Sequence, residues 1–141
     1  MAEPLIVRTI TFDCTDARAL AQFWAAVLGW NVYTDDEPEV LVAPSFPVTR
    51  HGGAPVLLFI PVPEPKTAKN RMHLDLGSLG STRDDQVARL VGLGAREVGD
   101  YRDSRGGGWV VLTDPEGNEF CIERSDVERP AKARTYRIEA V

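Results

Sequence analysis

Residues 106–123 run GGGWVVLTDPEGNEFCIE. Trp109 to Thr113 is an apolar, β-favouring run. Asp114-Pro115-Glu116-Gly117-Asn118 supplies turn chemistry, with Pro fixing φ and Gly accepting a positive one. From Glu119 to Glu123 the pattern alternates: Glu119, Cys121 and Glu123 face one way, Phe120 and Ile122 the other. This is a hairpin with one apolar face and one face bearing two carboxylates and a thiol. Such a face suits either the wall of a site or a solvated exterior.

The preceding chain contains the same plan twice. Leu5 to Asp13 reads as a strand, with Ile10 and Phe12 on one face and Thr9, Thr11 and Asp13 on the other. Thr15 or Asp16 caps a helix whose apolar residues Leu20, Phe23, Trp24, Val27 and Leu28 recur at helical spacing, and Gly29 closes it. Strands follow at Trp30–Tyr33, Glu39–Ala43 and Pro55–Val62, the last nearly all apolar. After a polar linker at residues 63–69, Arg71–Gly77 opens a second strand-first unit. Its expected faces are Met72, Leu74 and Leu76 against Arg71, His73 and Asp75. Ser81 with Asp84 resembles a capping box, the helix ends before Gly94, and Arg96–Tyr101 precedes the hairpin. Cap and closing glycine are equally spaced in both halves, Asp16 to Gly29 and Ser81 to Gly94. The reading is one α+β domain over residues 1–141, with two tandem βαβββ modules at about 5–62 and 70–124 and a charged tail at 125–141. Residues 135–140 of that tail suit an edge strand or an arm on a partner.

Bulk properties narrow the function. The length of 141 residues suits one domain with a sizeable core. A net charge of −5 without a basic cluster argues against nucleic acid. No apolar run reaches the ~20 residues that span a bilayer, and the N-terminus lacks the pattern of a signal peptide. Cys14 and Cys121 are the only cysteines, with no CxxC spacing. A cytoplasmic location with reduced thiols is the expectation.

Three pieces in order, TDARALAQFWAAVLGW, KNRMHLDL and DPEGNEF, resemble the vicinal oxygen chelate superfamily, the glyoxalase/bleomycin-resistance/dioxygenase group. The wording is most similar to its glyoxalase-like domain subgroup. The resemblance covers about residues 5–124. It implies paired βαβββ modules forming a U-shaped or barrel-like mixed sheet around a groove, and a homodimer. In metal-using members it further implies four ligands on the first and last strands of the modules, holding a divalent ion that a substrate chelates. Carried over by position, these fall on Thr9, on the apolar stretch near Leu57–Phe59, on His73 and on Cys121. Only His73 is a good ligand of the usual kind, so no metal site of that type and no cofactor is expected.

The groove wall is then expected to carry Thr9, Thr11, Asp13, Arg71, Asp75, Cys121 and Glu123, with Trp109 among the aromatic rim residues Trp30, Tyr33 and Phe46. His73 is the candidate catalytic residue, as a general base or substrate donor; a hydrogen-bonded core role is the competing reading. Asp75 lies two residues along an extended strand, ~6–7 Å away, which suits lining a groove better than a tight dyad. Cys121 reads as a small buried hydrophobe, Cys14 as filler, and Trp24 as core. Arg71 suits an ion pair with Asp75 or Glu123, or an anchor for a substrate anion. The leading functional expectation is small-molecule binding, of the antibiotic-sequestering or metabolite-binding kind, without the usual metal set. The alternative is a divergent lyase, isomerase or dioxygenase-like enzyme using His73 and a groove carboxylate, with no metal or with an unusual set such as His73, Cys121 and one carboxylate. A pure interaction domain would follow if side chains such as Phe59 and Trp109 filled the groove.

Overall fold

A computed structural model describes residues 3–47, 53–130 and 136–139. The first half contains β1 (Thr9–Cys14), α1 (Ala17–Leu28), β2 (Asn31–Tyr33), β3 (Val40–Ala43) and β4 (Val56–Pro61). The second contains β5 (Asp75–Leu76), α2 (Arg83–Leu93), β6 (Arg96–Asp100), β7 (Trp109–Thr113) and β8 (Glu119–Glu123). A short 3-10 turn at Asp126–Glu128 follows. Each half makes a four-stranded mixed sheet of the same order, β1-β4-β3-β2 and β5-β8-β7-β6. In each, the first strand pairs in parallel with the last, and the remaining pairs are antiparallel. The α+β double repeat is therefore present. The two sheets stay open and do not close into a barrel.

Local chemistry explains the helix limits. Asp16 caps α1 by accepting from the Ala19 N–H at 3.0 Å, and Gly29 ends it at φ 67°. Only a residue tolerant of the left-handed region closes a helix this way at low cost. In the second half the cap is Thr82, which accepts from the Asp85 N–H at 3.2 Å, and not the expected Ser81–Asp84 pair. Adjacent Ser and Thr compete for one cap, and the hydroxyl nearer the first turn wins. Gly94 closes α2 in the left-handed region, as expected.

The second strand-first unit is much shorter than its sequence suggests. Residues 71–73 lie outside the ladder, Leu74 joins it only through its carbonyl, which accepts from the Cys121 N–H at 2.9 Å, and Asp75–Leu76 pair with β8. Here the linker diverts the chain. The Asn70 N–H donates to Glu119 at 3.0 Å, and the Asn70 side-chain amide donates to Asn118 at 3.3 Å. Met72, expected on the apolar face, is exposed, whereas Leu74 and Leu76 pack on the core.

One hydrophobic core joins both halves. Trp24 and Phe23 of α1 meet Phe12 and Phe59 of the first sheet and Phe120 of the second, with Leu90 of α2 and Leu112 completing the cluster. The Trp24 and Phe120 rings stand 5.0 Å apart in an edge-on arrangement. Helices thus cover one face of each sheet, and the other faces are left open. His51, Thr135 and Ala140 lie outside the described residues; Tyr136–Glu139 are described and form no strand. Among the described residues, no helix is long and apolar enough to cross a membrane.

Candidate functional site

The hairpin turn positions everything at the site. The buried Asp114 carboxylate accepts four hydrogen bonds: from Glu116 N–H (2.9 Å), Asn118 N–H (3.0 Å), the Asn118 amide (2.8 Å) and the Trp24 indole (3.0 Å). Glu116 reaches across to the start of α1, accepting from the backbone N–H groups of Thr15 at 2.6 Å and Asp16 at 3.0 Å. The last strand, β8, is thereby clamped to the first helix.

Two cavities flank β8, and His73 and Glu119 line both. One, of ≈ 440 Å³, is bounded by Thr9, Thr11 and Asp13 of β1 together with Asn70, Met72 and Phe120. The other, of ≈ 510 Å³, lies on the open face of the second sheet, with Lys69, Val98, Tyr101, Trp109 and Cys121 in its wall. The Tyr101 and Trp109 rings stand 6.3 Å apart, and both side chains are substantially exposed. Phe59 is buried under the helices and fills neither cavity.

His73 Nδ1 lies 3.2 Å from a carboxylate oxygen of Asp75 and 3.8 Å from the Cys121 sulfur. The ~6–7 Å expected from strand rise is a backbone spacing; the two side chains, on one face, converge to 3.2 Å, closer than expected. Cys121 is 5% exposed. Burial pushes its thiol up to about 11, and the negative charge and hydrogen bonding of Asp75 add to the effect. Glu119 is held by Lys66 at 3.1 Å and by the Asn70 N–H. Burial pushes its carboxyl up, but these hydrogen bonds outweigh burial and keep it below the usual range.

Not every expected wall residue gathers here. Thr9, Thr11 and Asp13 line the first cavity, and Trp109 and Cys121 the second. Asp75 contributes to the cluster with His73 while lining a separate depression beside α1 and α2. Arg71 is exposed and forms no ion pair among the described residues. Glu123 pairs instead with Arg129 at 3.0 Å, and Asp75 with His73. Trp30 packs on the core, and Tyr33 and Phe46 meet on the first sheet, away from His73. The sequence reading omitted Val98, Tyr101 and Glu119. Glu119 was accessible from the same alternation that selects Cys121. Val98 comes from β6 and Tyr101 from the residue just after it, and no local pattern reveals the register of that strand.

The four-ligand set of the metal-using relatives does not fit. Thr9 offers only a hydroxyl, and Leu57, Leu58 and Phe59 on β4 offer no donor atom. The side chains that do converge are His73, Asp75 and Cys121, whose donor atoms all lie within 4.8 Å of one another.

Several solved structures share this architecture. An antibiotic binding protein from a Streptomyces species matches with TM-score 0.60 and 19% identity over 87% of this chain and 98% of its own. A fosfomycin resistance protein from Mesorhizobium loti matches with TM-score 0.61 and 15% identity, over 89% and 93% respectively. Trypanothione-dependent glyoxalase I from Leishmania major gives 0.64 and 17%, over 88% of each chain. At these identities the likeness establishes the fold. A comparison with curated proteins finds no match. The glyoxalase-like domain model matches residues 9–123, nearly the whole double repeat, and the chain therefore belongs to the glyoxalase-like family of the vicinal oxygen chelate superfamily.

Proposed function

We infer that this protein binds a small organic molecule in the cavity between the second sheet and the linker, without the four-ligand metal set of its metal-using relatives. The observation that carries this reading is the ≈ 510 Å³ cavity with an exposed Tyr101–Trp109 wall and a few polar groups, Lys69, His73 and Glu119, at one end. Apolar walls with few convergent polar groups are the usual build of a ligand pocket. Exposed aromatic surface here has no internal partner to cover it. Structural relatives include an antibiotic binding protein and a fosfomycin resistance protein, which supports an antibiotic-like or aromatic metabolite as the ligand class. A homodimer and a cytoplasmic location complete the proposal. Exposed Leu5, Ile6, Val7 and Met72 support the first, and the two free cysteines the second.

A thermal-shift screen of aromatic antibiotics and metabolites, followed by calorimetric titration of the hits, tests the reading. The expected outcome is a saturable hit whose affinity falls at least ~10-fold in Trp109→Ala, since a buried aromatic contact contributes about 1.5 kcal/mol or more. A screen without hits, or affinity unchanged in Trp109→Ala, would overturn it.

A second reading rests on the His73–Asp75 contact. Asp75 orients the imidazole, so His73 is placed to exchange a proton with a ligand in either cavity it lines. Turnover lost in His73→Gln, with ligand binding retained, would distinguish catalysis from sequestration.

A further inference from the structure

Two groups approach a single atom of His73. His73 Nδ1 faces the Asp75 carboxylate at 3.2 Å and the Cys121 sulfur at 3.8 Å, so both approach the same nitrogen. A nucleophile–base–carboxylate relay uses opposite nitrogens of the ring, one for the nucleophile and one for the orienting acid. That arrangement is absent. Nδ1 carries at most one hydrogen, which can point at only one of its two neighbours. What remains is three donor atoms within 4.8 Å of one another.

The spacing matches a small tetrahedral cation. Bonds of about 2.0–2.1 Å to nitrogen, about 2.0–2.2 Å to carboxylate oxygen and about 2.3 Å to sulfur at tetrahedral angles place N···O at about 3.3 Å and N···S at about 3.6 Å. The observed separations are 3.2 and 3.8 Å, and all three donor atoms lie within 4.8 Å of one another. One thiol, one imidazole and one carboxylate form a mixed soft and borderline set. Thiolate selects against Mg²⁺, Ca²⁺ and Mn²⁺ and favours Zn²⁺. The site is reachable, because the His73 and Asp75 side chains are 38% and 49% exposed while the sulfur is sheltered beneath them.

We propose that His73, Asp75 and Cys121 form a three-donor site for a thiophilic divalent cation of the Zn²⁺ type, in which His73 and Cys121 stand at two of the four positions of the metal-using relatives and Asp75 replaces the donors missing at Thr9 and on β4. Asp75 opens β5, and its carboxylate stands 3.2 Å from His73 Nδ1. Three protein donors leave a fourth position for water or for a donor group on a ligand. His73 and Cys121 belong to the wall of the aromatic cavity, so a ligand there would have access to that position.

The test titrates metal-stripped protein with Zn²⁺ against a chromophoric chelator, and with Co²⁺ as a spectroscopic probe. The expected result is one equivalent of Zn²⁺ and a thiolate-to-cobalt charge-transfer band. Cys121→Ser should abolish the band, and Asp75→Asn should weaken Zn²⁺ binding at least ~10-fold, since even outer partners of a metal site contribute 10–100-fold. Cys14→Ser should leave both readouts unchanged. Failure of the wild-type protein to bind stoichiometrically would overturn the proposal, as would a band that persists in Cys121→Ser or disappears in Cys14→Ser. If Cys121→Ser fails to fold, the half-exposed Asp75→Asn decides, and unchanged affinity there overturns the proposal. No organic ligand enters this titration, so its failure leaves the cavity reading standing. Failure of the ligand screen likewise leaves the metal site standing.

Discussion

Cys14 and Cys121 are both buried, but their settings differ. Cys14 ends β1 against the core, and its sulfur donates to the Ile60 carbonyl at 3.5 Å. Burial, followed by the nearby Glu116, Asp13, Asp16 and Asp114 charges, pushes its thiol from 9.0 up to about 11. The sign follows directly: the folded protein holds the proton that an unfolded chain releases. Stability from this group is intact below about pH 9 and is lost as pH rises toward 11. At pH 8 the thiolate fraction is about 100-fold below that of an ordinary thiol, so iodoacetamide should label Cys14 at least that much more slowly in native than in urea-unfolded protein. Peptide mass spectrometry of a time course checks this, and equal native and unfolded rates would contradict it. Single residues were legible from sequence where the determinant is local. Trp24, Gly29 and Gly94 behave as their spacing demands. His73 was readable as a candidate and lines both cavities, but its 3.2 Å contact with Asp75 was not readable, because it depends on side-chain conformation that strand rise does not convey.

Strand ends and strand neighbours are the features that local pattern conveys least. The run Arg71–Gly77 alternates well enough for a full strand, yet hydrogen bonds from the linker to Glu119 and Asn118 pull its first half away. The aromatic wall of the cavity has a comparable tertiary origin. Tyr101 donates its backbone N–H to the Trp109 carbonyl at 2.9 Å, across the loop between β6 and β7. Gly108 sits in that loop at φ +79°, where a Cβ would stand 2.1 Å from the Tyr101 carbonyl oxygen. Gly99 leaves room beneath the Tyr101 ring, since a Cβ there would meet a ring carbon at 2.6 Å. Gly108→Ala should therefore displace the Tyr101–Trp109 pair. The expected outcome is a loss of about 1–3 kcal/mol of stability from backbone strain, together with a shift in Trp109 emission. Urea unfolding monitored by fluorescence reads both, and a variant with wild-type stability and spectrum would show that the loop yields.

At the scale of the molecule, the internal repeat was legible because each half carries its own cap, apolar helix face and closing glycine. How the halves join was not, since the joining contacts run between residues about a hundred positions apart in the chain. Glu116 accepts from the backbone at the start of α1, and Asp114 accepts from the Trp24 indole. Glu116→Ala should cost about 1–2 kcal/mol, as expected when a carboxylate with two backbone donors is lost. Amide exchange should also quicken at Thr15 and Asp16. Exchange at those two positions equal to wild type would mean that the contact carries no energy.

The clamp has a consequence for the order in which the chain becomes ordered. During synthesis the first sheet and its helix emerge long before residues 114–116. Until then Trp24 lacks its acceptor and the inner face of α1 has no Phe120 to meet. A half-made chain thus presents an aromatic surface to the cell, with nothing of its own yet available to cover it. Such non-local closure is slow to form, and the exposed intermediate is prone to aggregate. The two similar units are joined by contacts of the 114–116 turn, so the turn with the most recognisable sequence is also the one whose arrival completes the fold.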